Sequence, residues 1–191
     1  MNDAPASIPP LVQKAHLAAA SAEFIMSCTP RTGVLLRTLA ASKPGGNILE
    51  LGTGAGVGSA WLLAGMNPDA RLHTVEAQPT NSAIARSVLM DDPRITLHCL
   101  DAQGFLDSWD GPPFDLAFVD CRPGKFYGRA ELVELLAPGG LYVVEDLLLQ
   151  ATWPADHQPR VDSFLGQIGD EPDLYVTQLQ WDSGLIIAAK I

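Results

Sequence analysis

Short apolar runs alternate with stretches of helical spacing along most of this chain. Such runs predict buried strands. The runs are 48–51, 72–75, 95–100, 114–119 and 141–144. Between them, apolar residues recur three and four positions apart, which predicts helices. The helical stretches are 60–64, 78–90, 102–108 and 129–136. Repeated strand–helix units predict a parallel sheet with helices on both faces.

The N-terminal part carries a pattern of its own before the first strand. Residues 1–10 hold three prolines and predict a loose arm. The following stretch, 11–26, is alanine-rich and spaced for a helix. Thr29 and Pro30 then predict the N-cap and first position of a second helix.

The C-terminal part departs from the strand–helix alternation. After a helix predicted at 158–168, two apolar runs follow at 174–179 and 185–190. The link between these two runs is too short for a parallel crossover. The sequence therefore predicts an antiparallel pair of strands at this end.

The most specific stretch is 47–63, where glycine stands at every second position from Gly52 to Gly58. Glycine tolerates positive φ and lets a ligand approach the backbone, and a following helix start offers unpaired N–H groups. A dinucleotide site requires Gly-x-Gly-x-x-Gly, and neither Gly52 nor Gly54 begins that spacing. Glu50 stands two residues before the first glycine. This pattern resembles motif I of the Rossmann-like (class I) S-adenosylmethionine (SAM)-dependent methyltransferases.

Acidic residues end four successive predicted strands, and ligands of open α/β sheets bind beyond such carboxyl ends. The acids are Glu76, Asp101, Asp120 and the pair Glu145–Asp146. A carboxylate at Glu76 can accept both hydroxyl protons of a ribose, which fits NAD as well as SAM. The resemblance implies that Asp101 and the backbone of Ala102 bind adenine. The alternative is that Asp101 only caps the following helix.

The resemblance implies a complete cofactor site around the glycine-rich turn. Backbone amides and the helix dipole would hold the carboxylate of SAM. The hydroxyls of Thr53 and Ser59 would add donors or else cap the helix. The resemblance also brings Ser27, Cys28, Thr29 and Gly33 near the methionine end. The predicted cofactor-binding residues are Glu50, Gly52, Thr53, Gly54, Gly58, Ser59, Glu76, Ala77, Asp101, Ala102 and Asp120.

Two leading helices, the glycine loop and the sequence Phe-Asp-Leu-Ala-Phe-Val-Asp at 114–120 resemble the catechol O-methyltransferase-like group of bacterial O-methyltransferases. The resemblance covers about 27–191. It implies an α/β fold with a Rossmann-like, doubly wound, mostly parallel seven-stranded sheet. An antiparallel C-terminal strand and helices on both faces complete this fold. The whole of 1–191 is expected to form a single domain.

In that group a divalent cation lowers the pKa of the acceptor hydroxyl. The matching positions are Asp120, Glu145 and Asp146, and oxygen ligands suit Mg²⁺. Two departures bear on this prediction. The group has an Asp-Asn pair where this chain has Glu145-Asp146, and Pro123 stands where the group has a candidate lysine base.

Three residues are the predicted catalytic groups: Asp120, Lys125 and His157. Lys125 lies two positions beyond the group's lysine and would act as a base or remain a solvated lysine. His157 follows the fifth strand in a proline-containing stretch, and histidine is the residue type best suited to proton removal. Its alternative is a surface-loop histidine. Trp153 and Tyr127 would stack on an aromatic acceptor or serve packing.

The composition of the chain bears on which binding partners and which cellular compartment are expected. A net charge of −10 disfavours nucleic acid and anionic membranes, and no run approaches the ~18 apolar residues of a membrane span. Three cysteines at no metal-binding spacing indicate reduced thiols and a cytoplasmic protein. The apolar first helix would allow a homodimer.

The sequence therefore predicts a SAM-dependent methyltransferase that acts on a small-molecule acceptor, which by resemblance is a hydroxyl compound. Three alternatives stay open. They are an NAD(P)-dependent oxidoreductase, a SAM-binding protein without turnover, and a methyltransferase acting on RNA or protein. The acidity of the chain argues against RNA.

Overall fold

The computed structural model describes residues 5–151 and 153–191, which form alternating strands and helices. The strands are β1 (Asn47–Leu51), β2 (Arg71–Val75), β3 (Ile95–His98), β4 (Phe114–Val119), β5 (Leu136–Val144), β6 (Leu174–Leu179) and β7 (Leu185–Lys190). The helices are α1 (Pro10–Ser21), α2 (Pro30–Ala41), α3 (Val57–Gly65), α4 (Pro79–Leu89), α5 (Ala102–Ser108), α6 (Arg129–Glu134) and α7 (His157–Ile168).

All seven strands of the described residues join one sheet in the order β3-β2-β1-β4-β5-β7-β6. β7 is antiparallel to both of its neighbours, while the other pairs are parallel. This confirms the predicted mostly parallel sheet with an antiparallel C-terminal strand. β1 pairs with both β2 and β4, so the order reverses there. Such a reversal opens a crevice at the carboxyl ends of the strands.

Two hydrophobic cores cover the two faces of the sheet. Along β1, Ile48 belongs to the core under α1–α4, whereas Leu49 belongs to the core under α5–α7. Side chains of a strand alternate between faces, so a continuous apolar run serves both cores. In α1, Val12, Ala15 and Ala19 are fully buried in the first core. α1 therefore buries this face within its own chain, and the homodimer stays a prediction.

The first helix is shorter than predicted. α1 ends at Ser21, and the chain then runs as a non-helical strap (residues 22–29) to the start of α2. Glu23 takes a positive φ of 54°, and the N–H of Phe24 bonds to the carbonyl of Ala19 at 2.9 Å. This bond pattern is a Schellman motif, which usually has glycine where Glu23 stands. The sequence therefore carried no stop signal at this point.

Other boundaries differ by small amounts. The predicted cap is confirmed, since the side chain of Thr29 accepts from the N–H groups of Arg31 and Thr32. β3 ends at His98, before the predicted boundary at 100. β5 begins at Leu136 and is longer than predicted, with a register shift against β4. Of the arm predicted at 1–10, residues 1–4 lie outside the described residues, and Ile8 packs against the first core. No helix in the described part of the chain is long and apolar enough to cross a membrane.

Candidate active site

A cavity of about 1060 Å³ lies beyond the carboxyl ends of the central strands. This is the position expected for ligands of an open α/β sheet. It brings together most of the residues that the sequence singled out. Those lining it are Gly52, Gly54, Glu76, Ala77, Asp101, Ala102, Asp120, Lys125, Glu145, Asp146 and His157, with Ser27, Cys28 and Thr29 from the strap.

Glu76 links the glycine-rich turn to the start of α4. Its carboxylate accepts hydrogen bonds from the backbone N–H of Gly54 and of Gln78, each at 2.8 Å. These two bonds hold a largely buried carboxylate at the end of β2, against the cavity. The side chain is thus fixed in place before any ligand arrives.

Asp101 caps α5 and also lines the cavity. Its Oδ1 accepts from the backbone N–H of Gln103 at 2.9 Å and of Gly104 at 3.3 Å. Asp101 therefore caps α5, and its role in binding adenine stays a prediction. Both bonds use Oδ1, so capping is compatible with ligand binding through Oδ2. Ala102, the next residue, is buried beside it.

Four predicted cofactor residues lie outside the cavity lining: Glu50, Thr53, Gly58 and Ser59. The hydroxyls of Ser59 and Thr74 both donate to Oε2 of Glu50, the second at 2.5 Å. Thr53 bonds to the hydroxyl of Thr74 at 2.6 Å. A Cβ at Gly58 would stand 2.4 Å from Oε1 of Glu50. These residues form a buried network that joins α3 to β1 and β2. Burial raises the pKa of Glu50 to about 7, against the lowering by its hydrogen bonds from Ser59 and Thr74.

At the other end of the cavity, Asp120 and Glu145 form a buried acidic pair. Burial raises the pKa of both carboxyl groups, and repulsion from Asp146 raises both further. Glu145 also raises the pKa of Asp120, whereas the hydrogen bond with Asp120 lowers that of Glu145. Glu145 lies within hydrogen-bonding reach of Asp120. Two carboxyl groups at this distance favour a state in which one of them holds a proton.

Lys125 is the cation beside this pair. Its side chain is only 2% exposed, and Nζ donates to the backbone carbonyl of Glu145 at 3.1 Å. Its charge lowers the pKa of Asp120 and Glu145, opposing the effect of burial. Gly124 allows the tight turn before it with a φ of 78°. The interpretation of Lys125 as a solvated lysine is therefore wrong.

His157 stands at the first position of α7 and lines the cavity. Nε2 lies 3.1 Å from the backbone carbonyl of Asp146, so this nitrogen carries the proton. The ring packs on Trp153 and Phe126, with centroid distances of 4.1 Å and 5.6 Å. Tyr127, by contrast, is 49% exposed and outside the lining, so only Trp153 of the two predicted aromatics reaches the cavity.

Several lining residues were not anticipated from the sequence. They are Phe24, Ile25, Met26, Asn81, Arg122, Phe126, Gln150 and Ser183. Three of them belong to the strap, which was expected to be helical. Ser183 comes from the turn between β6 and β7, where only a short hairpin link was visible. Gly33, expected near the cofactor, instead faces Trp61.

Comparison with known proteins agrees with this geometry. Residues 49–147 match the family described as a methyltransferase domain. A relative from Mycolicibacterium vanbaalenii, provisionally named an O-methyltransferase, is 36% identical over 172 residues, covering 85% of this chain and 76% of the relative. Another, from Mycobacterium sp. strain JLS, is 37% identical over 123 residues, covering 61% of this chain. That match spans only about half of the relative's own length, 55%.

A solved structure extends the likeness to the whole fold. It is the O-methyltransferase TomG from Streptomyces achromogenes, involved in tomaymycin synthesis and solved in complex with SAM. It is 26% identical, with a TM-score of 0.84, and the match covers 96% of this chain and 91% of TomG. The chain belongs to the class I SAM-dependent methyltransferases and is related to proteins named as O-methyltransferases.

Proposed function

We propose that this protein transfers the methyl group of SAM to a hydroxyl of a small molecule. The observation that carries the proposal is the composition of the cavity. One end has the glycine turn and two fixed carboxylates, and the other end has a buried acidic pair, a lysine and a histidine. SAM supplies a methyl group that is already strongly electrophilic. The protein's part is to align the acceptor and to help remove its proton.

The residues of the cofactor end suit SAM. Glu76 is held where a carboxylate can accept the ribose hydroxyls, and Oδ2 of Asp101 suits an adenine amino group. Gly52 and Gly54 have φ of 99° and 54°, and added Cβ atoms would meet the carbonyl oxygen of Asp120 at 2.5 Å and Phe24 at 2.8 Å. TomG, solved with SAM, supports the same assignment for this chain.

At the acceptor end, we assign removal of the acceptor's hydroxyl proton to His157. We assign stabilisation of the resulting negative charge to Lys125. The hydrogen bond to the carbonyl of Asp146 keeps the proton of His157 on Nε2, which leaves Nδ1 as the nitrogen that accepts another. The ammonium of Lys125 stabilises negative charge on an acceptor oxygen in a buried site. Asp120 and Glu145 balance that ammonium.

A resident divalent cation is not part of this proposal. Among the described residues, no group of three or more His, Cys, Asp or Glu side chains is arranged to hold a metal. The carboxyl groups of Asp120 and Glu145 interact with each other, and Lys125 already supplies positive charge beside them. The predicted set of Asp120, Glu145 and Asp146 as ligands of Mg²⁺ therefore stays a prediction, and no step is assigned to a cation.

Calorimetry and a turnover assay together test the proposal. We expect S-adenosylhomocysteine (SAH) to bind the protein and to raise its melting temperature, while NADH does neither. With labelled SAM, a panel of hydroxylated small molecules should yield a methylated product. Binding of NADH without SAH would support an oxidoreductase. Tight SAH binding with no product across the panel would support a SAM-binding protein without turnover.

Three broader expectations stay predictions. They are the cytoplasmic location, the homodimer and the absence of a nucleic-acid partner. The described cysteines are all free, which supports a reducing compartment. Light scattering of the purified protein tests the oligomeric state directly.

A further inference from the structure

The turn between β6 and β7 (residues 181–184) reaches the same edge of the sheet as the cavity. β7 is antiparallel to both neighbours, so β6 runs in the same direction as β5. The carboxyl ends of β5 and β6 therefore meet at the cavity edge, and Ser183 lines the cavity. Asp182 and Gly184 have positive φ of 56° and 87°. The turn belongs to the site although no cofactor-binding pattern marks it.

On one side, Asp182 holds the N-terminus of α2. Its Oδ2 accepts hydrogen bonds from the hydroxyls of Thr29 and Thr32, the second at 3.1 Å. Thr29 is the N-cap of α2, where the helix dipole also favours a negative charge. Trp181 adds a contact, because the guanidinium of Arg31 lies 4.6 Å from its ring. The turn thus anchors the end of the strap, which leads directly into Thr29.

On the other side, Ser183 holds the loop that follows β5. Its carbonyl accepts from the N–H of Leu147 at 2.9 Å and of Leu148 at 2.7 Å. Its hydroxyl lies 3.4 Å from the N–H of Asp146. Gly184 permits this approach, since a Cβ there would stand 2.6 Å from the nitrogen of Leu148. Three successive backbone donors of the loop are therefore bonded to one residue of the turn.

We propose that this turn is a positioning element that sets the separation between the strap and the loop after β5, with Asp182 as its positioning residue. The strap carries Ile25 and Met26, which line the cavity and are 92% and 70% exposed, and the loop after β5 carries Trp153, which also lines it. The turn thereby controls which acceptors fit between these apolar side chains. This inference rests on the proposed function, because it assigns the strap and the loop to the acceptor end.

Hydrogen exchange measured by mass spectrometry tests the turn without any ligand. In Asp182→Ala we expect exchange to rise about tenfold in peptides covering both 22–33 and 145–151. Asp182→Asn should stay near the wild type, because its amide oxygen still accepts from Thr29 and Thr32. Asp170→Asn, an exposed acid outside the cavity, is the matched control. Exchange in β4 reports whether the whole domain has been destabilised instead.

The proposal is overturned if only the strap responds to Asp182→Ala, or if Asp182→Asn loses protection as much as Asp182→Ala does. Kinetics add a second readout. We expect Asp182→Ala to raise the KM for the acceptor about tenfold while the SAH Kd stays within about twofold. An equal rise in both constants argues for a general structural role. Failure of wild-type SAH binding would overturn the proposed function alone, since the exchange result does not depend on it.

Discussion

The two ends of the cavity are built from different kinds of structure. The cofactor end consists of strand ends and the turns that leave them, with Glu76 and Asp101 fixed by backbone N–H groups. The acceptor end consists of the strap, the loop after β5 and the turn at 181–184, which hold one another through hydrogen bonds across the chain. Only Asp120 and Glu145 at that end follow strands directly.

This difference separates what the fold fixes from what an individual sequence can vary. Moving Glu76 would require moving β2, which is paired on both sides and buried. Moving the strap requires new contacts at Phe24, Cys28 and Thr29 but no change in strand pairing. We therefore expect cofactor affinity to depend on a few backbone positions. Acceptor choice should depend on side chains that come from distant parts of the chain.

The largest expected effect comes from the acceptor end. His157→Gln should lower kcat by about 10²–10³-fold, because glutamine keeps a donor for the carbonyl of Asp146 but cannot accept a proton at neutral pH. Its SAH Kd should stay within about twofold of the wild type. The measurement is single-turnover methyl transfer at saturating acceptor, with SAH calorimetry alongside. His16→Gln, on α1, is the control. An unchanged kcat would mean that Lys125 or Asp120, and not His157, removes the proton of the acceptor.

The second prediction concerns the cofactor end. Gly52→Ala should weaken SAH binding by about 100-fold, because φ is 99° and the new Cβ would stand 2.5 Å from the carbonyl oxygen of Asp120. Gly139→Ala is a matched control with a φ of 74° and no atom within 4 Å of the new Cβ. It introduces comparable backbone strain without the close contact. Equal SAH affinity in the two variants, measured by calorimetry, would contradict the role of Gly52.

The third prediction, of a smaller effect, concerns the buried network around Glu50 that lies behind the cofactor end, and it tests how this network affects stability. Glu50 has a pKa of about 7 in the folded protein, above its usual 4.5, because it is buried. Its contribution to stability is therefore complete below about pH 4.5 and is lost as pH rises through 7. Glu50→Gln cannot ionise, so it should be more stable than the wild type by about 2–3 kcal/mol at pH 8 and similar to it near pH 5.

Urea unfolding at the two pH values measures this difference. Glu131→Gln, an exposed acid on α6, should leave the pH dependence of stability unchanged. Equal pH dependence in Glu50→Gln and the wild type would mean that Glu50 stays ionised in the folded protein. The buried network with Ser59 and Thr74 would then need a compensating charge.

The sequence predicted the cofactor end better than the acceptor end for a physical reason. Glu76 and Asp101 follow apolar runs directly, so the strand pattern alone brings them to one edge of the sheet. Glu50 lies outside the cavity lining, in the network with Ser59 and Thr74, because a two-residue offset from the glycines does not fix which way its side chain faces. The strap was missed because Glu23 fills a Schellman position that glycine usually marks.

The acceptor end depends on contacts that no local pattern encodes. Ser183 reaches Asp146 because β7 is antiparallel and returns the turn to the cavity edge. That arrangement requires the order of the strands in the sheet, which the sequence did not predict. Lys125 was expected two positions away from the family's lysine. The turn at Gly124 brings it back into a buried position, and spacing alone could not indicate that.

The smallest expected effect is that of removing divalent cations, which tests whether the positive charge at the acceptor end comes from Lys125 or from a bound cation. Treatment with EDTA should leave the rate, the SAH Kd and the melting temperature unchanged within error, and added Mg²⁺ should not restore or raise any of them. The reason is that Lys125 already provides positive charge beside Asp120 and Glu145. A metal-dependent methyltransferase treated in parallel shows that chelation is effective. Loss of activity that Mg²⁺ restores would mean that Asp120, Glu145 and Asp146 rearrange around a cation, and that Lys125 then acts as a base.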